Sequence, residues 1–269
     1  MTPMPNTTSK NSAASGLVVQ NIRQDFITID GKGLNVLQNI ELSFRDKEFV
    51  SLIGHSGCGK STLLRIMAGL QTPTSGRVVY NGEVVKGPSA SRGMVFQQDA
   101  VFPWLTVRKN IEFGLRLKNI PRAQIRRTAE QWIELVGLSG WESAYPKELS
   151  GGMRKRVDLA RVYANEPALM LMDEPFGALD QQTKSNMQVQ LLKLWERTGT
   201  TVVFVTHDLE EAVFLSDRVV VLAPRPGRVK AVLDIALPRP RDGDIRLTDE
   251  FLAEKRRLHA YLAEDEDPA

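Results

Sequence analysis

The amino-acid sequence predicts an α/β fold: a mostly parallel sheet covered by helices on both faces, an antiparallel β portion near the N-terminus, and a helical subdomain inserted into the core. Three observations lead there. Short apolar runs at residues 49–53, 169–172, 201–205 and 219–222 alternate with helical patterns, and strands buried on both faces read as continuous apolar runs. A glycine-rich loop joins the first of these runs directly to a helix. Residues 107–161 lose the β-branched clustering and show helical periods instead.

The chain has 269 residues, enough for one large domain or two closely joined ones. Hydrophobic residues at 42% and charged residues at 25% are ordinary for a globular protein. Thirty-five basic against thirty-two acidic side chains leave +3, too mild a balance to argue for a nucleic-acid partner. Cys58 is the single cysteine, so no internal disulfide forms, and a reducing compartment fits. The longest apolar stretches are strand-sized and far short of the ~20 residues a bilayer needs. Residues 1–16 are polar and rich in Ser, Thr and Asn, without the apolar centre of a signal peptide, and are expected to be disordered.

Leu17, Val18 and Val19 begin a strand, and the turn at Asp30, Gly31, Lys32 and Gly33 suggests a hairpin. Residues 60–70 read as a helix with Leu63, Leu64 and Met67 at helical spacing, Gly69 near its end and Pro73 beyond. Residues 122–136 are amphipathic, with Ile125, Ala129, Trp132, Ile133 and Val136 on one side. A helix follows at 184–198. After Ala223 the prolines at 224, 226, 238 and 240 predict an irregular extension, then a short helix near 249–262 and an acidic end, Glu264, Asp265, Glu266 and Asp267. The expected organisation is a disordered 1–16, a domain over 17–225 holding the helical subdomain at about 107–161, and an extension over 226–269. Repeats at solenoid periods are absent from the sequence.

Gly54, His55, Ser56, Gly57, Cys58, Gly59, Lys60 and Ser61, followed by Thr62, match the P-loop pattern in full, with a strand before and a helix after. Glycines let the backbone curl so that its N–H groups point at phosphate oxygens, and the helix N-terminus adds partial positive charge. Lys60 would reach the β- and γ-phosphates, and Ser61 would offer its hydroxyl to Mg²⁺. Cys58 reads as a small space-filling residue, the alternative being a thiol activated by the helix N-terminus. The buried run at 169–172 leads into Asp173 and Glu174. A strand end of this kind projects beside the P-loop, so Asp173 would hold Mg²⁺ and Glu174 would polarise an attacking water.

Leu149, Ser150, Gly151, Gly152 and Met153, followed by Arg154, Lys155 and Arg156, resemble the signature motif of the ABC ATPase family. Before a helix, Ser150, Gly151 and Gly152 would make a second anion cradle. The resemblance implies the ABC ATPase fold and a head-to-tail dimer, homodimeric or heterodimeric, with ATP sandwiched between subunits and each signature closing over the other subunit's nucleotide. By the same resemblance Gln97 matches the Q-loop glutamine that contacts Mg²⁺ or water and links to the membrane partner. Ala178, Leu179 and Asp180 resemble the D-loop, which puts Asp180 at the dimer contact. His207 matches the switch histidine near the γ-phosphate, and Phe26 falls where the family stacks an aromatic on adenine, a core Phe being the other reading. The resemblance covers about residues 17–222. Two positions depart from it. Met153 stands where the family most often has Gln, and Asp158 where a small or apolar residue is usual; the sequence offers no physical reason for that Asp.

Phe102, Pro103, Trp104, Leu105, Thr106 and Val107, together with Met153, Arg225, Pro226, Gly227, Arg228, Val229, Pro238, Arg239, Pro240 and Arg241, resemble importers of nitrate, sulfonate, taurine and bicarbonate. This implies a peripheral ATPase on the cytoplasmic face of the inner or plasma membrane, a separate two-copy permease, an extracytoplasmic solute-binding protein and a small, often anionic solute. The alternatives are the ATPase of an exporter or lipid mover, or an ABC protein outside transport. Phe102 and Trp104 are expected to present aromatic surface to a short permease helix; the other reading packs Trp104 into the insertion. Arg225, Arg228, Arg239 and Arg241 read as a solvated face rather than a lipid contact.

Overall fold

The computed structural model describes residues 16–98 and 100–263. The readings of residues 1–15 and of the acidic end lie outside the described residues. Strands β1 (Leu17–Ile27) and β2 (Gly33–Phe44) form the expected hairpin, in register from Leu17 opposite Phe44 to Ile27 opposite Gly33. Thr28 closes the turn by donating its N–H to the Lys32 carbonyl at 2.8 Å. Gly16, placed by the sequence in the disordered start, is buried and anchored: its N–H donates to Asn81 Oδ1 at 3.2 Å, and its carbonyl accepts from the Asn81 N–H at 3.0 Å.

The chain continues through β3 (Phe49–Gly54), α1 (Lys60–Ala68), β4 (Ser75–Tyr80), β5 (Glu83–Val84) and β6 (Arg92–Val95). The insertion contributes α2 (Val107–Leu115), α3 (Arg122–Leu135) and α4 (Gly151–Tyr163). Then come β7 (Leu169–Asp173), α5 (Gln181–Thr198), β8 (Thr201–Val205), α6 (Leu209–Leu215), β9 (Arg218–Ala223), β10 (Arg228–Asp234) and α7 (Asp249–Ala263). Helix α5 starts at Gln181 rather than residue 184 because Asp180 caps it, accepting the Thr183 N–H at 3.0 Å.

Two sheets result. One is antiparallel, in the order β2-β1-β4-β5; the other runs β10-β9-β3-β8-β7-β6, parallel except for β10. Alternation along the central strands splits their side chains between two cores. Phe49, Ile53, Met170, Met172, Val202 and Phe204 face one way, towards Trp195 and Phe214. Val50, Leu52, Leu169, Leu171, Val203 and Val205 face the other, towards α1 and the antiparallel sheet. The insertion has a third core, where Ile111, Ile125, Ala129, Ile133, Val157 and Ala160 meet. The predicted apolar side of 122–136 is the side that α3 buries; Trp132 is half-buried and stacks on Tyr163, ring centres 5.6 Å apart.

Three expectations change. The stretch after Ala223 is not irregular throughout: β10 pairs antiparallel with β9 as an edge of the central sheet, with Pro224 and Pro226 in the connecting turn, where no ladder hydrogen bond is needed. Arg239 and Arg241 are not a solvated face: Arg241 is 5% exposed, and Arg239 lies over Trp195 with its guanidinium carbon 4.2 Å from the ring centre. Asp158 gains a physical reason. It is fully buried, bonded by Arg161 Nη2 at 2.9 Å and lying 3.8 Å from Lys155 Nζ. Arg161 also covers the ring of Phe102 at 5.0 Å, so this carboxylate ties α4 to the aromatic loop.

Candidate nucleotide site

Strand β3 delivers the P-loop. Gly54 ends it at φ 154°, and a Cβ there would stand 2.6 Å from the Leu222 carbonyl of neighbouring β9, so glycine is required. Lys60 opens α1 and folds its side chain back into the loop. Its ammonium donates to the Gly54 carbonyl at 2.7 Å and the His55 carbonyl at 3.0 Å, leaving the residue 6% exposed. Cys58 is fully buried beside it, and burial pushes the thiol pKa up, which matches the space-filling reading.

Ser61 Oγ donates to Asp173 Oδ1 at 2.8 Å. Asp173 is the last residue of β7, and burial holds its carboxyl above the ordinary range against the pull of the Ser61 bond. Glu174 follows at φ 41° and donates its N–H to the Val205 carbonyl at 3.0 Å. A non-glycine residue at positive φ is uncommon and costs about 1–3 kcal/mol. Oε2 of Glu174 accepts from Gln97 Nε2 at 3.2 Å and lies 3.2 Å from His207 Nδ1. Gln97 stands two residues past β6 and His207 two past β8. The adjacent parallel strands β3, β8, β7 and β6 thus deliver the P-loop, His207, the acidic pair and Gln97 to one edge of the sheet, the carboxyl edge where open α/β sheets bind ligands.

The remaining residues form a separate patch. Ser150 is the N-cap of α4, accepting the Met153 N–H at 3.3 Å. A Cβ on Gly152 would meet Thr183 Cγ2 at 2.6 Å, so the N-termini of α4 and α5 pack together, with Ser150, Gly151 and Asp180 alongside. The Asp180 carboxyl is held below its ordinary range by the Thr183 N–H. Met153 packs on the helical core. The hydrogen bonds that gather Lys60, Ser61, Asp173, Glu174, Gln97 and His207 do not include this patch. Phe26, on β1 opposite Leu34, is 40% exposed.

Sequence reasoning missed the supports. Gly227 donates its N–H to the Val36 carbonyl at 2.9 Å, its carbonyl accepts from the Gln38 N–H at 2.9 Å, and a Cβ on it would stand 2.0 Å from the Cys58 carbonyl. The sequence marks Gly227 only through the importer resemblance, and nothing in its spacing shows its seat under the P-loop. Lys155, 3% exposed, donates to the Phe96 carbonyl at 3.2 Å, next to Gln97. Around His207, Lys184 bonds Asp208 at 2.6 Å and Glu211 at 3.0 Å, and Glu211 also accepts from the Thr206 hydroxyl. Burial pulls the Asp208 carboxyl up, but Lys184 and the N–H groups of Glu210 and Glu211 outweigh it and hold the group below its ordinary range.

This geometry defines a P-loop nucleoside triphosphatase. The ABC transporter family pattern matches residues 37–177. The chain is 50% identical over 249 residues to an ABC transporter ATP-binding protein of Methanocaldococcus jannaschii, covering 93% of this chain and 92% of that one. It is 52% identical over 202 residues to a nitrate import ATP-binding protein of Synechocystis sp., covering 75% and 76%. Its fold is similar to a dimeric ATP-binding cassette solved with ADP and phosphate, with a TM-score of 0.72 at 30% identity, over 82% of this chain and all of that one. The chain belongs to the ABC transporter family and is one of its ATP-binding, ATP-hydrolysing subunits.

Proposed function

We propose that this chain energises import of a small, anionic solute through a separate permease by binding and hydrolysing MgATP. The observation that carries the hydrolytic half is the shared oxygen of Glu174, held between Gln97 and His207 beside the Ser61–Asp173 pair. The import half rests on the nitrate import relative and on the aromatic loop.

The residues fit Mg²⁺. Ser61, Gln97 and Asp173 offer hard oxygen donors, and a buried carboxylate whose pKa is raised gains from a cation beside it. Bound there, the ion would neutralise charge on the β- and γ-phosphates. Lys60, released from its carbonyls, pairs with the phosphates. Glu174 orients and polarises the attacking water, and His207 and Gln97 fix the carboxylate that does so. Ser150, Gly151 and Gly152 of a second ATPase subunit, identical or related, close over the nucleotide, with Asp180 at the dimer contact and Phe26 against adenine.

The permease docks beside the Q-loop. A groove there is lined by Arg92, Phe102, Phe113, Leu117 and Arg161. Trp104, 68% exposed, lies 5.5 Å from Phe102 between ring centres, and Leu117 is 79% exposed. Exposed aromatic and aliphatic anchors around an arginine suit a short amphipathic helix. Among the described residues no helix is long and apolar enough to cross a membrane. The proposed location is the cytoplasmic face of the membrane, with a solute-binding protein acting through the permease.

The test is gentle affinity purification of the tagged chain from its own cell membranes in detergent, with mass spectrometry of what accompanies it. Recovery of a multi-helix membrane protein supports the importer, and a secreted binding protein in the same sample identifies the route to the solute. Ribosomal or DNA-associated partners with no membrane protein would remove the transporter reading and leave the ATPase standing.

A further inference from the structure

The C-terminal extension grips one short helix, α6, which starts two residues after His207. The last carbonyls of a helix lack intrahelical partners. Here two arginines of the extension supply them. Arg241 Nη1 donates to the carbonyls of Val213 and Phe214 at 3.0 Å each and of Ser216 at 2.8 Å, and Arg239 Nη2 to that of Leu215 at 2.7 Å. Arg241 is tied to its own segment through the Leu237 and Pro238 carbonyls. Further along, Arg246 lies 3.7 Å over the Phe214 ring, donates to Gln188 Oε1 and sits 3.5 Å from Glu210, which Lys255 also bonds at 3.1 Å. The extension therefore holds α6 at both ends.

His207 depends on that helix. Its side chain is 63% exposed, and its Nδ1 lies 3.2 Å from Glu174 Oε2, which belongs to the reacting site. Its backbone helps place it, and both neighbours in the chain are tied to α6, Thr206 being held as well by the Leu52 carbonyl of β3 at 3.2 Å and Asp208 by Lys184 of α5 at 2.6 Å. Asp208 caps α6, accepting from the N–H groups of Glu210 and Glu211. Thr206 bonds Glu211, and Glu211 accepts from Gln188 Nε2 at 3.1 Å, the side chain that Arg246 also holds. An unbroken set of contacts runs from the arginines of the extension through α6 and Glu211 to the residues flanking His207.

We propose that Arg241 and Arg246 are positioning residues for His207: the C-terminal extension sets where the switch histidine stands relative to Glu174. This rests on the hydrolytic role given to His207 above. Shifting a catalytic group by about 1 Å costs roughly 10- to 100-fold in rate, with little effect on groups that only bind substrate. The test is a four-member cycle on the full-length chain, comparing wild type, Arg241→Met, His207→Ala and the double variant, with kcat and KM for ATP measured on radiolabelled nucleotide. Arg241→Met is expected to lower kcat by roughly tenfold or more and to leave KM within about twofold. In the His207→Ala background it is expected to cause no further fall, and Arg241→Lys, which keeps the charge and one donor direction, is expected to recover part of the rate. If Arg241→Met shows no folding transition, Arg246→Met replaces it, since that change leaves the carbonyl cap of α6 in place. An equal fall in both backgrounds, or a raised KM at unchanged kcat, would overturn the proposal. Wild-type turnover by His207→Ala alone would instead remove the role given to His207, and the proposal with it.

Discussion

A single carboxylate oxygen, Oε2 of Glu174, lies 3.2 Å from His207 Nδ1 and 3.2 Å from Gln97 Nε2. The loops after β6, β7 and β8 therefore meet at one atom. The backbone of Glu174 stands in the left-handed region at φ 41°, and its N–H is held by the Val205 carbonyl at 3.0 Å.

Glu174→Gln replaces that acceptor by an amide that cannot polarise a water as a base. ATP binding is expected to persist while hydrolysis falls by about 100-fold or more. Filter binding and phosphate release on the same preparation check this; turnover at the wild-type rate would remove the role of Glu174.

Asp173 sets stability against function. Burial raises its folded pKa above the unfolded value, so the native state keeps a proton that the unfolded state has released. Its ionised form therefore costs stability as pH rises from about 4 through the folded value. Without nucleotide, Asp173→Asn is expected to melt at or above the wild-type temperature at neutral pH, with the difference closing towards pH 4, while Mg²⁺-dependent ATP binding is lost. Melting curves at both pH values decide; a lower neutral-pH midpoint would contradict the burial argument.

Gly227 has no room for a side chain, because a Cβ would stand 2.0 Å from the Cys58 carbonyl. Gly227→Ala is expected to destabilise the protein by about 1–3 kcal/mol and to raise KM for ATP as the P-loop shifts. Gly33→Ala is the control: its Cβ meets nothing within 4 Å, and a cost within about 0.5 kcal/mol is expected. Urea titrations compare the two.

Trp104 is 68% exposed, so Trp104→Ala should change stability by no more than about 0.5 kcal/mol and leave basal ATPase intact. Recovery of the membrane partner from detergent extracts should fall by roughly tenfold or more if the indole is an interface anchor. Undiminished recovery would place the docking surface elsewhere.

Much of the chemistry was legible because most of the reacting residues follow strands that announce themselves. Lys60, Asp173 and His207 all come after runs of apolar residues buried on both faces. Elements without that signal stayed hidden. Strand β4 begins Ser75, Gly76, Arg77, and β6 contains Arg92 and Gly93, so neither reads as an apolar run. Helix α6 has only seven residues, too few for a period to repeat. Flanking prolines masked β10. The supports were hidden for a different reason: Gly227, Arg241 and Lys184 act on residues far away in the chain or on another element, and spacing along a sequence carries no sign of that. Asp158 was visible as an anomaly, and only its burial between Arg161 and Lys155 explains it.

Cys58 gives the chain its own gauge. It is the only thiol, it lies inside the P-loop, and it is fully buried with a raised pKa. The thiolate is the reactive form, so a soluble alkylating reagent must wait for the loop to open, and the labelling rate measures the open fraction. A nucleotide that closes the loop slows the clock. The breathing of the phosphate cradle can thus be timed in the native protein, without attaching a probe.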